Sequence, residues 1–367
     1  MQQQEIFGAV KSWQDSPWLH RPTQKVRRAN PLLVPWLNGP EGPVLALDTQ
    51  PERWHGILHL AGKNPDPENQ AVELYAGTLE MLAQALNGWK GPIQAIFMGA
   101  HSDPFAGPEE AQELAMTCIE AIAARGIRVW VRTRARILSR LRPRLAALAC
   151  LVRITVPLCT TSTSKARGME PGAPSPKARL RQVIRLREMG LAVLPTVEPL
   201  VPGVTDTAGE MEALLTLFKD FGIRQTTMGY LPLPEGSLDR LAAVLAGPEL
   251  VQVAAAYSNG PRVMLPGNRV QRLLPRSRRL KLYTHLSAMG ARYGIQMHVC
   301  RWSNPDLEEP RVVEQSTQRE SLAENGSACN PRVKRDYLRA SRGLIRVALK
   351  AGTAPPKRPM IIATAIP

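Results

Sequence analysis

Short apolar runs alternate along this chain with longer stretches in which apolar residues recur at helical spacing. The apolar runs predict strands at residues 93–98, 127–132, 150–158, 191–197 and 223–231. The amphipathic stretches predict helices at residues 108–125, 137–148, 175–189, 207–221 and 237–246. Strands that are apolar on both faces and alternate with helices indicate a parallel sheet covered by helices. The predicted fold class is therefore α/β, a partial or complete parallel (β/α) barrel, with the open doubly wound sheet as the competing topology.

The pattern weakens on both sides of this central region, which we predict to span residues 44–250. Residues 1–43 are rich in Pro, Gly and Trp without a sustained period, and predict an irregular N-terminal segment laid over the core. Residues 251–367 predict a basic C-terminal extension. Its expected elements are helices at 273–293 and 331–350, a strand at 295–300 and a polar connection at 304–330.

Composition and cysteine use narrow the class of protein. With 367 residues, 44% of them hydrophobic, one barrel-sized core with additions is the simplest organisation. The first residues do not lead from a basic segment into an apolar run, and no stretch of about 18 consecutive apolar residues occurs. The five cysteines are odd in number and scattered, which argues against a secreted disulfide framework. We expect a cytoplasmic protein without a membrane partner, whose oligomeric state is left open.

Positive charge is segregated along the chain. The net charge is +16, and the stretch from Arg125 to Arg187 contains 16 Lys and Arg residues with Glu170 as its only acid. Segregated positive charge favours contact with polyanions and predicts a nucleic-acid or nucleoprotein partner. The competing explanation is a compositional bias that places Arg on ordinary solvated helix faces.

The candidate nucleic-acid contacts fall in two groups. In the first group, alternating positions of a predicted strand are followed by helically spaced arginines. A second group lies just before and within the first part of the predicted helix at 273–293. The candidates are Arg128, Arg132, Arg134, Arg136, Arg140, Arg144, Arg272, Arg276, Arg278, Arg279 and Lys281. Aromatic residues, which would stack on bases, make up only 5% of the chain.

Several ordered segments between about residues 70 and 235 carry a family resemblance. They are Gly99-Ala100-His101-Ser102-Asp103-Pro104-Phe105, Val131-Arg132-Thr133-Arg134, Val152-Arg153-Ile154-Thr155-Val156, Met169-Glu170-Pro171-Gly172-Ala173-Pro174-Ser175-Pro176 with Arg179-Leu180, and Glu198-Pro199-Leu200-Val201-Pro202-Gly203-Val204-Thr205-Asp206. In order and spacing this set resembles the spore photoproduct lyase-like radical S-adenosylmethionine proteins. The resemblance implies a radical-SAM type barrel, with S-adenosylmethionine and an iron–sulfur cluster as the family's cofactors.

The chain departs from that family where the cluster would be held. Family members carry Cys-x3-Cys-x2-Cys after an Asn-Pro, because three thiolates hold three irons of the cluster. If Asn30-Pro31 is that dipeptide, Pro35, Gly39 and Gly42 stand at the cysteine positions. The family's Thr-Lys is also changed, to Thr133-Arg134. This change replaces the compact ammonium group of lysine with the planar guanidinium group of arginine.

The remaining cysteines do not suggest another cluster. Cys150 and Cys159 are expected at opposite ends of one strand, and Cys118 is expected in a helical core position. Cys300 and Cys329 are too few for a four-iron cluster. We therefore predict no metal site and no [4Fe–4S] cluster, while S-adenosylmethionine stays open as a ligand.

Polar residues that follow the predicted strands are candidates for a ligand site at the barrel mouth. They are His101, Ser102, Asp103, Thr133, Arg134, Thr160, Thr161 and Glu198. Two simpler interpretations stay open, in which Asp103 closes its own turn and Thr160 to Lys165 form a plain solvated loop. We expect Glu170 to pair with Arg167 or Arg179 for structural reasons.

The predicted function is that of a catalytically degenerate radical-SAM-like barrel. It would act as a binding or scaffold protein for nucleic acid or a nucleoprotein, without catalytic residues that the sequence identifies. The alternative is an active radical-SAM-type enzyme, of the lyase or DNA-repair kind, with an unconventional iron–sulfur or metal site. A third interpretation is an accessory subunit that binds a protein partner and no nucleic acid.

Overall fold

The computed structural model describes residues 23–26, 32–50, 72–170, 172–234 and 236–307. Cys329, the predicted helix at 331–350 and most of the predicted N-terminal segment lie outside these ranges. Among the described residues, no helix combines the length and apolar character that a membrane span requires.

The described chain contains the alternating strands and helices that the pattern predicts. The strands are β1 Thr23–Val26, β2 Leu33–Gly39, β3 Gly42–Leu47, β4 Val72–Tyr75, β5 Ala95–Met98, β6 Arg128–Arg132, β7 Val152–Pro157, β8 Ala192–Leu200, β9 Gln225–Tyr230, β10 Arg262–Leu265, β11 Arg269–Arg272 and β12 Gln296–Val299. The α-helices are α1 Thr78–Gly88, α2 Glu109–Ala123, α3 Arg142–Ala146, α4 Thr163–Met169, α5 Pro176–Glu188, α6 Ala208–Asp220, α7 Ser237–Leu241, α8 Gly247–Tyr257 and α9 Arg276–Arg292.

Eight strands form one main sheet, in the order β12-β9-β8-β7-β6-β5-β3-β2. All neighbours are parallel except β2, which pairs with β3 in an antiparallel hairpin. The α/β class is therefore confirmed, and the sheet is an open, partial form of the predicted barrel, because β2 and β12 are edges within the described chain. Two small pairs lie apart from it, β1 with β4 and β10 with β11.

The main sheet extends past the limits expected for the barrel. β2 begins at Leu33, inside the segment predicted to be irregular, and β12 ends at Val299, inside the predicted basic extension. Pro35 hides β2 from a pattern analysis, since proline is tolerated in a strand only at an edge or a bulge. Here both conditions hold, because β2 is an edge strand and its register shifts between Pro35 and Leu37.

Two predicted helices differ from their expected form. The region 137–148 contains a 3₁₀ turn at Ser139–Leu141 followed by the short α3, in which Pro143 lies in the first turn. The helix expected at 237–246 ends at Leu241, and α8 begins at Gly247 with a proline in its first turn. In both places a proline near a helix start sets a new first turn.

The sheet buries both of its faces. On the helical side, Ile96 and Met98 of β5 join the large core that also contains residues of α1, α2, α5 and α6. On the opposite side, Ala95 and Phe97 pack with Trp36 in a smaller cluster. This burial of alternate residues on opposite faces explains why β5 is a continuous apolar run. It also leaves an aromatic surface on the side that carries no helices of the main core.

A buried ion cluster joins the ends of two strands to a helix. Glu170 follows α4, and its Oε1 accepts a hydrogen bond of 2.7 Å from Nε of Arg134, directly after β6. Its Oε2 accepts one from Nη2 of Arg179 on α5, and the Arg179 side chain is 1% exposed. Arg179 also donates to the carbonyl of Pro157 at the end of β7, at 2.7 Å. The structural pairing expected for Glu170 is thus formed with Arg179.

The charge on Glu170 makes this cluster sensitive to acid. Burial alone would raise the pKa of Glu170, but Arg179 and Arg134 outweigh it and hold the pKa below the usual 4.5. A carboxylate with a lowered folded-state pKa adds stability that is present above its ordinary pKa and is lost as the pH falls below it. The Glu170 cluster therefore stabilises the fold at neutral pH and stops doing so in acid below pH 4.5.

We predict that Glu170→Gln lowers the free energy of unfolding at neutral pH by about 3–5 kcal/mol, because the buried Arg179 and the partly buried Arg134 lose their counter-charge. The difference between the native chain and the variant should shrink as the pH falls below 4.5. Urea unfolding at several pH values measures both effects. Glu188→Gln, at an exposed glutamate at the end of α5, is the control. An equal loss at neutral and acid pH would contradict the assigned role of the Glu170 charge.

The turn after β5 depends on a glycine. Gly99 has φ of 109°, and a Cβ there would lie 2.4 Å from the carbonyl oxygen of Arg132 on β6. Both the backbone conformation and the contact exclude a larger side chain. Gly99 thus allows β5 to turn toward the sheet edge while staying against β6.

We predict that Gly99→Ala destabilises the protein by more than about 2 kcal/mol, since it adds backbone strain to a steric clash. Gly209→Ala is the matched control, because a Cβ at that position on α6 meets no atom within 4 Å. Alanine there should be neutral or stabilising by up to about 1 kcal/mol. The melting temperatures of both variants, measured by thermal unfolding, test this prediction. Similar melting temperatures for the two variants would show that the turn tolerates a side chain at Gly99.

Candidate functional site

A pocket of about 460 Å³ lies where several parallel strands end. Its walls come from the ends of β5, β6, β8, β9 and β12 and from the β10–β11 hairpin. The hairpin is attached at two places, through paired backbone hydrogen bonds between Leu233 and Arg272 and a bond from Gly267 N to Trp36 O of 3.1 Å. The carboxyl edge of a parallel sheet is where α/β proteins build their sites, and the volume suits a small ligand.

Aromatic rings cover one side of this pocket. Trp36 and Trp302 line it directly, and Phe97 lies between them with ring centroids 5.5 Å from Trp36 and 4.7 Å from Trp302. Trp130 packs against Trp302 at 5.7 Å. Tilted and edge-to-face packing of this kind holds large rings in fixed positions. The pocket therefore has a rigid apolar wall.

A charged pair lies against the aromatic wall. Nη2 of Arg132 is 3.4 Å from Oε2 of Glu198, and the Arg132 guanidinium carbon lies 5.6 Å from the Phe97 ring centre and 5.9 Å from that of Trp302. Such positions over ring faces are favourable for a guanidinium. The pair places one positive and one negative group on the same wall of the pocket.

Three buried polar atoms of this wall have no hydrogen-bond partner among the described residues. They are Nε1 of Trp36, Nε of Arg132 and Oε1 of Glu198. Buried polar groups are almost always hydrogen-bonded, so donors and an acceptor left over in one pocket indicate groups suited to a ligand. The set offers two N–H donors and one carboxylate acceptor.

Gly229 of β9 makes room for the carboxylate. A Cβ on this residue would lie 2.8 Å from Oε1 of Glu198 and 2.6 Å from Oγ of Ser303. Glycine here lets the backbone approach both side chains closely. The depth of the pocket beside Glu198 is thus set by the missing side chain of Gly229.

Cys300 follows β12 and lies on the same wall. Burial and the neighbouring Glu198 carboxylate raise the pKa of the Cys300 thiol to about 12. A thiol with such a pKa is protonated at neutral pH, whereas metal binding and nucleophilic attack need the thiolate. Burial also raises the pKa of Cys159, which follows β7, and of Cys118. Cys118 lies on α2 and packs into the hydrophobic core, as predicted.

Asp48, directly after β3, organises the turn that follows β5. Its carboxylate contacts Nδ1 of His101 at 2.8 Å and accepts bonds from N and Oγ of Ser102 at 3.1 and 3.2 Å. The His101 ring meets Trp36 edge-on at 5.5 Å. His101 is therefore oriented on one side by a carboxylate and on the other by the aromatic wall.

Asp103 closes its own turn, as the simpler interpretation proposed. It accepts bonds from Phe105 N at 3.0 Å, Thr133 Oγ1 at 2.7 Å and Arg134 N at 2.6 Å. Burial raises the pKa of Asp103, although these hydrogen bonds act in the opposite direction. Asp103 joins the ends of β5 and β6, and its oxygens are occupied by the protein.

The predicted mouth residues divide into two groups. His101, Ser102, Asp103, Arg134 and Glu198 line the pocket. The three threonines, Thr133, Thr160 and Thr161, do not line it. Thr160 is buried and donates to Oε2 of Glu210 at 2.6 Å, so it holds the loop to α6.

The predicted nucleic-acid contacts are spread over the molecule. Arg132 and Arg134 line the pocket, while Arg279 is buried and binds Asn304 and Asp306. Three other members form ion pairs: Arg128 with Glu41, Arg140 with Glu109 and Glu113, and Arg144 with Glu113 and Glu120. Two donate hydrogen bonds to backbone carbonyls: Arg272 to Ser258 and Gly260, and Arg276 to Asp306. Arg136 lies near Arg185. Arg278 and Lys281 are exposed on α9.

Three important residues of the site were missed from the sequence. Trp36 and Trp302 come from opposite ends of the described chain and meet only through Phe97. Of the three, Asp48 could have been predicted from the sequence. It directly follows the apolar run from Val44 to Leu47, just as the other candidate residues follow their predicted strands. The same rule would have placed it at the mouth.

The amino-acid sequence is similar to those of several curated proteins, which are themselves described as uncharacterized. No family model matches the chain. The uncharacterized protein Rv2578c of Mycobacterium tuberculosis H37Rv is 29% identical over 173 residues, 46% of this chain and 51% of that protein. The uncharacterized protein ORF301 of Acidianus two-tailed virus is 26% identical over 140 residues, 37% of this chain and 45% of that protein. The chain thus spans about half the length of the curated relatives it matches.

Among solved structures, a mutant of spore photoproduct lyase matches with a TM-score of 0.50 and 13% sequence identity. The match covers 75% of this chain and 80% of that chain. At this identity the likeness concerns the fold alone. The chain therefore has an α/β fold similar to that of spore photoproduct lyase.

Proposed function

We propose that this chain is a binding protein for nucleic acid or a nucleoprotein, built on a radical-SAM-like fold without cluster chemistry. Its mouth pocket would hold one nucleoside unit of the partner. The observation that carries this proposal is the pocket wall in which Trp36 and Trp302 stand beside the unpartnered buried atoms of Arg132 and Glu198.

The chemistry of the wall fits a nucleoside. Aromatic side chains stack on bases irrespective of sequence, and Trp302 presents an accessible ring beside Arg132. Oε1 of Glu198 would accept a hydrogen bond from an exocyclic amine or a ring N–H, and Nε of Arg132 and Nε1 of Trp36 would donate to base carbonyls or ring nitrogens. Those bonds would satisfy the polar atoms that the protein leaves unpaired.

The residues present do not fit a [4Fe–4S] cluster. The first cysteine of the chain is Cys118, on α2. The positions matched to the family's cysteines lie in the β2–β3 hairpin, with Pro35 and Gly39 in β2 and Gly42 at the start of β3. No group of three metal-binding side chains occurs among the residues that the structure describes. These observations support binding without reductive cleavage of S-adenosylmethionine.

S-adenosylmethionine is itself a nucleoside and would use the same wall. Its adenine would stack as a nucleic-acid base does, and Glu198 offers a carboxylate to its positive charges. The two ligands differ in the phosphate backbone, so salt dependence separates them: polyanion binding weakens steeply with salt.

We predict that the chain binds a fluorescent single-stranded oligonucleotide and that Trp302→Leu weakens this binding by roughly 5- to 100-fold, the range for loss of one stacked base. Trp89→Leu is the matched control, at a half-buried tryptophan that does not line the pocket. Fluorescence anisotropy at two salt concentrations measures the effect, with duplex DNA and S-adenosylmethionine as further ligands. Oligonucleotide binding that is absent, or insensitive to salt, would remove the nucleic-acid proposal.

We also predict that protein purified and reconstituted without oxygen is colourless and contains no stoichiometric iron. The physical reason is the lack of three thiolates that converge on one point. Iron analysis and the visible spectrum provide the measurement. Brown protein with about four irons per chain, and cleavage of S-adenosylmethionine to a deoxyadenosyl product, would instead support the enzyme alternative.

A further inference from the structure

The turn after β12 contributes Cys300 and Trp302 to the mouth pocket. Its first residue is fixed to the sheet, because the backbone N of Cys300 donates to the carbonyl of Met228 on β9 at 2.8 Å. Trp302 then reaches Phe97 of β5 and Trp130 of β6, although β9, β8 and β7 lie between β12 and β6 in the sheet. The course of this turn therefore decides whether the aromatic wall of the pocket is complete.

Asn304 stabilises this turn from its buried side. The residue is 2% exposed, and its Nδ2 donates to the carbonyl of Cys300 at 2.8 Å and to Oγ of Ser303 at 3.3 Å. Its backbone N also donates to the carbonyl of Arg301 at 3.1 Å. All three acceptors belong to the turn itself, so Asn304 closes the backbone around Trp302.

The oxygen of the same carboxamide contacts α9. Oδ1 of Asn304 accepts a bond of 2.8 Å from Nη1 of Arg279 and one of 3.1 Å from the hydroxyl of Tyr283. Arg279 is 1% exposed and also donates to the carbonyl of Leu274 at 2.8 Å and to both carboxylate oxygens of Asp306. A guanidinium can only donate and a carbonyl can only accept, so the amide has one possible orientation. Its N–H groups serve the turn and its oxygen serves the helix.

Tyr283 extends this network to a second part of the pocket wall. Its hydroxyl donates to Asn304 and accepts a bond of 3.1 Å from the backbone N of Tyr230, the last residue of β9. Tyr230 lines the mouth pocket, and its own hydroxyl donates to Oδ2 of Asp206 at 2.8 Å. The ends of β9 and β12 are thus joined to α9 through buried hydrogen bonds that meet at Asn304.

An anchor for the chain after β12 would need fewer contacts than these. The ion pair between Arg279 and Asp306 already attaches this segment to α9. The two bonds from Nδ2 of Asn304 add nothing to that attachment, because both end on the turn that carries Trp302. They act on the path of the backbone between β12 and Asn304.

We propose that Asn304 is the positioning residue of the mouth pocket. Its amide N–H groups set the course of the turn and so place the Trp302 ring against Phe97 and Trp130. This role rests on the proposed function to the extent that Trp302 stacks on the ligand, whereas the position of the ring can be measured without any ligand.

The test uses Asn304→Asp in the full chain. The variant keeps acceptor oxygens for the donors of α9, but a carboxylate cannot donate to the turn. Asn87→Asp is the matched control, because Oδ1 of this exposed asparagine on α1 also accepts from an arginine, Nη2 of Arg125 at 2.7 Å. The same chemical change is thus made beside a guanidinium at a residue that does not belong to the turn.

Fluorine NMR after incorporation of 5-fluorotryptophan measures the position of Trp302. The chain contains seven tryptophans, and the Trp302 resonance is the one missing from Trp302→Leu. In Asn304→Asp this resonance should move, because the ring leaves Phe97 and Trp130, and in the control it should stay. A Trp302 resonance that is the same in Asn304→Asp and in the native chain overturns the proposal. If Asn304→Asp does not fold, Ser303→Ala, at a half-buried serine, removes one acceptor of Nδ2 and is judged by the same resonance.

A second arm measures the affinity for a fluorescent single-stranded oligonucleotide. Asn304→Asp should weaken binding by roughly 5- to 100-fold, as expected for Trp302→Leu, and Asn87→Asp should leave it unchanged. A displaced resonance together with unchanged oligonucleotide affinity overturns the role of Asn304 in the site. A displaced resonance in a protein whose native chain binds no oligonucleotide retains the positioning of Trp302 and removes the nucleic-acid function.

Discussion

The parallel direction of β3, β5, β6, β7, β8, β9 and β12 is the constraint on which the rest of the molecule depends. Because neighbouring parallel strands end at the same edge, residues far apart in the chain are brought together there. Asp48, Asp103, Arg132, Glu198 and Cys300 all reach the mouth in this way. Short-range hydrogen bonds then fix each turn, and the buried Glu170 cluster joins two of the strand ends to α5.

The fold, rather than the order of residues in the sequence, determines where positive charge remains on the molecule. The long basic stretch after residue 125 suggests one continuous positive surface, but folding places the acidic α2 beside Arg140 and Arg144. The buried Glu170 forms ion pairs with Arg134 and Arg179. Among the described members of the candidate set, Arg278 and Lys281 stay exposed on α9. Clustering in sequence therefore indicates an excess of charge, and three-dimensional pairing decides where that excess lies.

Pattern analysis predicted the strands of the central region because the sheet is buried on both faces, so that β5 is a continuous apolar run and β7 is largely apolar. It failed where one proline was decisive, at Pro35 in β2 and at the starts of α3 and α8. His101, Glu198 and Arg134, which line the pocket, could be predicted to lie there because each follows a predicted strand. Trp36 and Trp302 could not be found in this way, because their role arises from a contact between distant segments through Phe97. The low overall aromatic content also concealed how many of these rings gather on one surface.

The β10–β11 hairpin is a separate two-stranded pair that reaches across the open end of the main sheet. It crosses from the end of β9, where Leu233 meets Arg272, to the antiparallel edge strand, where Gly267 meets Trp36. It therefore acts as a strap from β9, the neighbour of the edge strand β12, to β2 at the other edge of the open sheet. Backbone hydrogen bonds hold it in place, and the guanidinium of Arg269 lies 5.1 Å from the centre of the Trp36 ring. A two-stranded hairpin outside the main sheet opens at lower free energy than the strands buried within that sheet. A guest too large for the space under the strap would then be admitted by unfastening one end, while the sheet itself stays intact.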